Sequence, residues 1–365
     1  MMNEKIENYN DGYYHFAKDL EDYPDAWCYI VWSKRGPGKT YSGLWYPYHE
    51  HIPIIYMKRT IDDVNFICSA NAYGFDPSPY VPLNRDKGIN VKGISISRKG
   101  MGAFWNCDEE GEPQGEPVSY ILALNAIKTF KGFDFSHCDW ILFDEFIPQI
   151  GERTSAGNKE GELLLDLYKT VSRDREKRGK GPLKLVLFAN AEEISTPVTN
   201  TLEVVDDMAD LNASGLSHMY LEDRGIMLHK KTNDEIPIDE SEKTGIYKAM
   251  AHTAWGAKTF EGDFANNDFS NVQPMSLKKF KPFIHLHYKT FDYYIYIRDT
   301  DGLYYMCSSK QKTDFDYDLN KENDQKLFFL EHCIDLREEC INDNMRFQKY
   351  SMYDLIINYK KYFKI

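Results

Sequence analysis

The stretch Trp27 to Tyr41, WCYIVWSKRGPGKTY, constrains the chain more than any other, because an apolar, β-prone run meets a glycine-rich turn and then a helix start. A run of this kind suits a fully buried central strand. Ser33 to Thr40 (SKRGPGKT) fits the phosphate-loop pattern GxxxxGK[ST] at every position but the first, where Ser33 replaces glycine. Gly36 and Gly38 let backbone N–H groups turn inward around phosphate oxygens, and Ser33, Lys34, Arg35 and Pro37 complete the nucleotide-binding turn. Lys39 is expected on the β- and γ-phosphates, Thr40 on Mg²⁺, with the positive end of the following helix aimed at the anion. The expected ligand is therefore ATP with Mg²⁺.

A second motif follows about a hundred residues later. Trp140 to Phe146, WILFDEF, is a run of large apolar residues ending in two adjacent carboxylates, as a central strand delivers acids to the C-terminal edge of a sheet. Asp144 is expected in the metal shell and Glu145 as the base that polarises the attacking water. Leu183 to Asn190 (LKLVLFAN) is another buried strand whose terminal Asn190 is placed to sense the γ-phosphate or position water. The strands between the two motifs imply an α/β fold with a central, mostly parallel sheet. In it the motif strands are expected to be neighbours that are not sequential, as in P-loop NTPases with an extra central strand and a catalytic glutamate.

His51 to Arg59 (HIPIIYMKR) reads as a second apolar strand ending in two bases, and residues 89–124 as antiparallel strands around an acidic turn, expected as a hairpin displayed on the sheet edge. Leu163 to Lys180 is helical in its first half and basic in its second, where Arg173, Arg175 and Arg178 read as a solvated helix end or as a source of an arginine finger. Past Thr199 the texture changes. The expected organisation is an ATPase domain over 1–200, a linker or lid over 201–255, and a smaller α+β domain over 256–365 with aromatic, alternating strands between Pro282 and Met306. His285 and His287 share a strand face but lack acidic partners at matching sequence spacing, so they read as core or edge histidines.

Composition limits the partners. No charge-free apolar run approaches a membrane span, the first sixteen residues are polar and acidic, and seven cysteines form no CxxC pair. A soluble intracellular protein with reduced thiols is expected. The net charge of −13 excludes a broadly basic surface. Residues 256–365 hold 16 Lys+Arg against 17 Asp+Glu, whereas the rest holds 28 against 40, so contact with a polyanion must be local. Lys278, Lys279 and Lys281, or Lys360, Lys361 and Lys364, are the clusters for it.

With SKRGPGKT, IIYMKR and KTFKGFDFSHCDWILFDE in view, and a C-terminal sheet domain of about a hundred residues, the chain resembles the DNA-packaging ATPases of small short-tailed bacteriophages, relatives of the large terminase motors. The resemblance implies a ring, usually a homopentamer, docked on the capsid portal in the host cytoplasm. There it drives double-stranded DNA inward by ATP hydrolysis, with a structural packaging RNA as a further candidate partner. It further implies Arg173 as a finger acting in trans, with Lys131 as a second candidate, and a C-terminal domain like the RNase H-like nuclease of terminases. Asp292, Asp299 and Asp301 sit around strand ends there, but two of them look like turn residues, so a vestigial domain that grips DNA or the portal without cutting is expected. Another P-loop helicase or translocase of phage replication, and a nucleotide-gated structural adaptor with little turnover, are the alternative readings.

Overall fold

The computed structural model describes residues 11–70, 74–130, 132–149, 152, 156–232, 245–253, 256, 264, 267–363 and 365. The chain divides into two compact units, Met1–Leu202 with Asp210–Asn266, and Glu203–Ala209 with Asn267–Ile365. Among the described residues no helix is long and apolar enough to cross a membrane.

The first unit is built on β1 (Cys28–Ser33), β2 (Ile54–Lys58), β3 (Val91–Ser97), β4 (Met101–Cys107), β5 (Pro113–Ala123), β6 (Trp140–Asp144), β7 (Lys184–Asn190), β8 (His218–Leu221) and β9 (Ile226–Lys230). They form one sheet in the order β3-β4-β5-β2-β6-β7-β1-β9-β8. From β5 to β9 every neighbouring pair is parallel, while β3 and β4 on one flank and β8 on the other run antiparallel to their neighbours. Every residue of β1 and β6 is buried, which is why both strands read as unbroken apolar runs rather than alternating ones.

Three expectations change at this level. The P-loop strand β1 and the Asp-Glu strand β6 are not neighbours, because β7 lies between them and pairs with both. The strands over residues 91–123 are not an added hairpin, since β5 pairs in parallel with β2 and so belongs to the sheet itself. Residues 218–230, inside the segment expected to be a linker, supply β8 and β9. That segment's acidic content conceals two short strands, and burial of Ile226, Met227 and Leu228 on the sheet outweighs it.

Three helices position the site. Helix α1 (Phe16–Asp22) packs the buried Phe16 edge-on against Tyr29, Trp140 and Phe188, so this ring serves as core. Helix α2 (Lys39–His49) begins immediately after the glycine turn and lies close on the sheet: a Cβ added to Gly43 would meet Phe188 Cε2 at 2.4 Å. Helix α3 (Glu160–Val171) brings the fully buried Glu160 beneath the end of β2.

The second unit has its own sheet, β10 (Phe280–Tyr288), β11 (Phe291–Arg298), β12 (Tyr304–Cys307), β13 (Phe315–Asp318) and β14 (Met345–Phe347), in the order β13-β10-β11-β12-β14. Pairs β10/β11 and β11/β12 are antiparallel, and β10/β13 and β12/β14 parallel. Ile284, Leu286, Ile295 and Met306 pack against Phe328, Cys333, Leu336, Leu355 and Tyr359 of the C-terminal helical segments, forming this unit's core.

Candidate active site

The glycine turn adopts the geometry its sequence requires. Gly36 and Gly38 have φ of +92° and +89°, conformations that L side chains rarely adopt, whereas a Cβ at Gly36 would meet no atom within 4 Å. Backbone shape rather than crowding therefore demands glycine there. Ser33, the departure from the pattern, is buried at the end of β1; its hydroxyl donates to the Lys34 carbonyl at 2.6 Å and accepts from Lys39 Nζ at 2.5 Å. Lys39 Nζ also donates to the Lys34 carbonyl at 3.2 Å and to Asn190 Oδ1 at 3.3 Å. The serine thus gives the lysine an anchor that glycine lacks. Burial lowers the Lys39 pKa to about 8, with Asp144 and Glu145 opposing the fall and Arg35 adding to it. Arg35 is exposed and lies 3.7 Å from the buried Glu192 carboxylate.

Thr40 and Asp144 come together from motifs 104 residues apart: Thr40 Oγ1 donates to Asp144 Oδ2 at 2.9 Å. Neighbouring oxygens around an octahedral Mg²⁺ with bonds of 2.0–2.1 Å are also about 2.9 Å apart, so a hydroxyl and a carboxylate here fit that ion. Asp144 Oδ2 accepts in addition from Tyr56 OH at 3.0 Å. Glu145 stands one residue on, exposed, with φ of +56°, a strained value for a residue with a side chain.

Two bases at the end of β2 hold that strained residue, and sequence reasoning gave neither a role. Lys58 Nζ lies 3.0 Å from Glu145 Oε2 and 3.6 Å from Asp144 Oδ2. Burial works against its ammonium, but Tyr56, Asp144 and Glu145 more than offset this and its pKa is raised. Arg59 is only 4% exposed; its Nη2 donates to the carbonyls of Glu145 at 3.2 Å and Phe146 at 2.8 Å. Its Nη1 reaches Glu152 Oε1 at 3.0 Å and its Nε reaches Glu160 Oε1 at 3.2 Å. The pair Lys-Arg closing an apolar strand was the available signal.

Two cavities meet at the acid pair. One of about 490 Å³ runs from the glycine turn past Thr40 to Asp144, Glu145 and Asn190. The other, about 570 Å³, shares Asp144, Glu145 and Asn190 and extends beyond them to Lys58, Arg59 and Glu152. Tyr13, 60% exposed, stands beside Gly38, with its Cδ1 3.6 Å from where a Cβ on that glycine would lie.

The fold has counterparts in solved structures. The bacteriophage Phi-29 viral genome packaging motor assembly aligns with a TM-score of 0.64 at 16% identity, over 96% of this chain and 99% of that one. The chain has the fold of a phage DNA-packaging motor. The Phi-28 gp11 DNA packaging motor aligns with a TM-score of 0.58 at 15% identity, over 96% of each chain. No protein-family model matches the sequence, and no curated protein does.

Within this packaging-motor fold Arg173 lies apart from the glycine turn of its own unit. Arg173 is exposed in the loop after α3, and two residues on, the buried Arg175 binds the Cys138 carbonyl at 2.7 Å and Asp139 at 2.7 Å. Those partners precede β6, so the loop sits at the sheet edge opposite Asp144, roughly 16 Å away for a five-residue strand. Arg175 is therefore a structural cation rather than part of a solvated helix end. Lys131 lies outside the described residues. In the second unit, Asp292 accepts from His285 and His287 at 2.8 and 3.0 Å, Asp299 pairs with Lys281 at 3.0 Å, and Asp301 with Arg298 at 2.8 Å. The three acids are thus engaged by different bases. The acidic partner the two histidines lacked in sequence spacing arrives across the β10/β11 register, where His287 faces Asp292.

Proposed function

We propose that the protein is an ATP-hydrolysing motor that translocates double-stranded DNA into a phage capsid. The observation that carries this is the convergence of Lys39, the Thr40–Asp144 pair and Glu145 around one cavity, in a fold shared along 96% of the chain with packaging motors. Thr40 and Asp144 would hold Mg²⁺, which neutralises charge on the β- and γ-phosphates. Lys39 leaves Ser33, Lys34 and Asn190 for the phosphate oxygens, where its ammonium balances the charge that develops on the leaving group. Glu145 takes the proton of the attacking water once Lys58 releases its carboxylate, and Asn190 orients that water. Tyr13 offers a ring face for the base.

Coupling requires a second subunit. Arg173 cannot reach its own glycine turn from the opposite sheet edge, and the larger cavity beside Glu145 leaves room for a cation from a neighbouring copy. This supports a homo-oligomeric ring, a pentamer by resemblance, in which Arg173 acts in trans. The second unit then grips DNA or the capsid portal without cutting.

The test is DNA-stimulated ATP turnover. Glu145→Gln is expected to bind Mg·ATP and lose turnover by about 10²–10⁴-fold; unchanged turnover would remove Glu145 from the base role. Arg173→Ala is expected to lose turnover and to regain part of it when mixed with Glu145→Gln subunits, which supply an intact Arg173. No recovery in such mixtures would refute a trans role.

A further inference from the structure

Apart from the acid pair, a second constellation lies where α1 meets β8 and β9 of the same unit. His218 of β8 and His229 of β9 are direct cross-strand partners, with ring centroids 3.8 Å apart. Both face the carboxylate of Asp19 on α1, which is 1% exposed, while His229 is 2% exposed. His229 Nδ1 lies 2.8 Å from Asp19 Oδ2, and His218 Nε2 lies 3.6 Å from Asp19 Oδ1. Among the described residues this is the one group of three His, Cys, Asp or Glu side chains whose donor atoms all fall within 4.8 Å of one another.

We infer that Asp19, His218 and His229 form a binding site for one divalent transition-metal ion, with Zn²⁺ the best match. Zn–N and Zn–O bonds of about 2.0–2.2 Å in a tetrahedron place neighbouring donors about 3.3 Å apart, between the two spacings seen here. Two imidazoles and one carboxylate are ligands that Zn²⁺ accepts, and they leave a fourth position for water. The surroundings are those of a prepared ligand set. His218 turns Nδ1 to Ser217 Oγ at 2.8 Å, which fixes Nε2 toward Asp19. Asp19 Oδ2 is oriented by the Tyr14 hydroxyl, which donates to it at 2.6 Å. A hydrogen-bonded pair needs one imidazole; the second, face to face with the first and aimed at the same carboxylate, is what a cation would use.

The site joins elements far apart in sequence. It ties α1 to the β8/β9 edge, and through Tyr14, whose backbone N–H donates to the Pro37 carbonyl at 2.8 Å, it reaches the glycine turn. A bound ion therefore fixes the segment that backs the nucleotide cradle, without entering the Mg²⁺ position.

The test uses the full chain without a histidine tag, stripped by chelator and titrated with Zn²⁺ by calorimetry and with Co²⁺ by visible absorption. One equivalent of Zn²⁺ per chain and the d–d bands of a low-coordinate Co²⁺ site are expected. Both should be lost in His218→Gln and in His229→Gln, and kept in His285→Gln of the second unit. His218 is only partly buried, so His218→Gln decides the matter even where the His229 variant does not fold. Failure of the wild-type chain to bind an equivalent of either ion would overturn the inference, as would undiminished binding by folded His218→Gln.

Discussion

Replacing Arg59 with methionine keeps the length and apolar stem of the side chain and removes its guanidinium. In the wild-type chain that group, 4% exposed, faces the fully buried Glu160, the half-exposed Glu152 and the carbonyls of Glu145 and Phe146. The Glu152 contact is open to solvent and contributes at most about 1 kcal/mol. Glu160 is different: a buried carboxylate deprived of its guanidinium typically costs about 3–5 kcal/mol. The carbonyl bonds overlap with this loss and do not simply add to it. A total of about 4 kcal/mol is expected, a large share of the roughly 5–15 kcal/mol that holds an ordinary domain together. For a unit of this size it lowers the melting temperature by about 8–16 °C. The assay follows, by circular dichroism, the thermal transition that Mg·ATP shifts. Arg59→Lys should recover little, since an ammonium lacks the planar fork. Adding Glu160→Leu to Arg59→Met should restore part of the loss by removing the buried charge that has lost its guanidinium. Turnover should fall more than nucleotide affinity, because Arg59 holds the turn at Glu145 and not the glycine cradle. A loss below about 1 kcal/mol in Arg59→Met, with turnover intact, would refute the reasoning.

Three further outcomes are expected. With the Lys39 pKa lowered to about 8 from 10.5, affinity of the nucleotide-free protein for Mg·ATP should weaken about tenfold between pH 7 and pH 9, while its stability rises between pH 8 and 10.5, where the unfolded chain holds the extra proton. Flat affinity from pH 7 to 9, read with a fluorescent nucleotide, would remove the lysine from that role. Gly43→Ala gains at most about 1 kcal/mol of helix propensity, but its Cβ meets Phe188 at 2.4 Å, an overpacking cost of about 1–3 kcal/mol, so the melting temperature should fall; a rise would show that α2 can move off the sheet. Ser33→Ala should lower stability by about 1.5–3 kcal/mol, the usual cost of losing a bond to a charged group, yet still bind nucleotide, and abolished binding by the folded variant would mean that Ser33 itself shapes the cradle.

The parts of the molecule legible in the sequence are those where chemistry and burial coincide over a short stretch. Strands β1 and β6 are apolar throughout and end in their motifs, so both were readable; the contact of Lys39 with Asn190 was not, because it depends on β7 pairing beside β1. What was not readable depends on partners distant in sequence. Arg59 closes an apolar strand, but its acids lie 93 and 101 residues downstream. Arg175 sits in a charged run of the kind that is usually solvated, and only the carbonyls before β6 give it a buried place. Strand adjacency was misjudged because β7 comes after both motifs in sequence and yet inserts between them in space.

That inserted strand has a consequence for how the two motifs keep their distance. Ser33 pairs with Asn190 on one side of β7 and Asp144 with Phe188 on the other, so the ladder hydrogen bonds of β7 gauge the lateral gap between the two motif strands at about two interstrand steps, near 9.6 Å. A slip of β7 by one residue would turn Asn190 to the opposite face and misplace both sides together. The least conspicuous strand of the sheet is the ruler against which the other two are set.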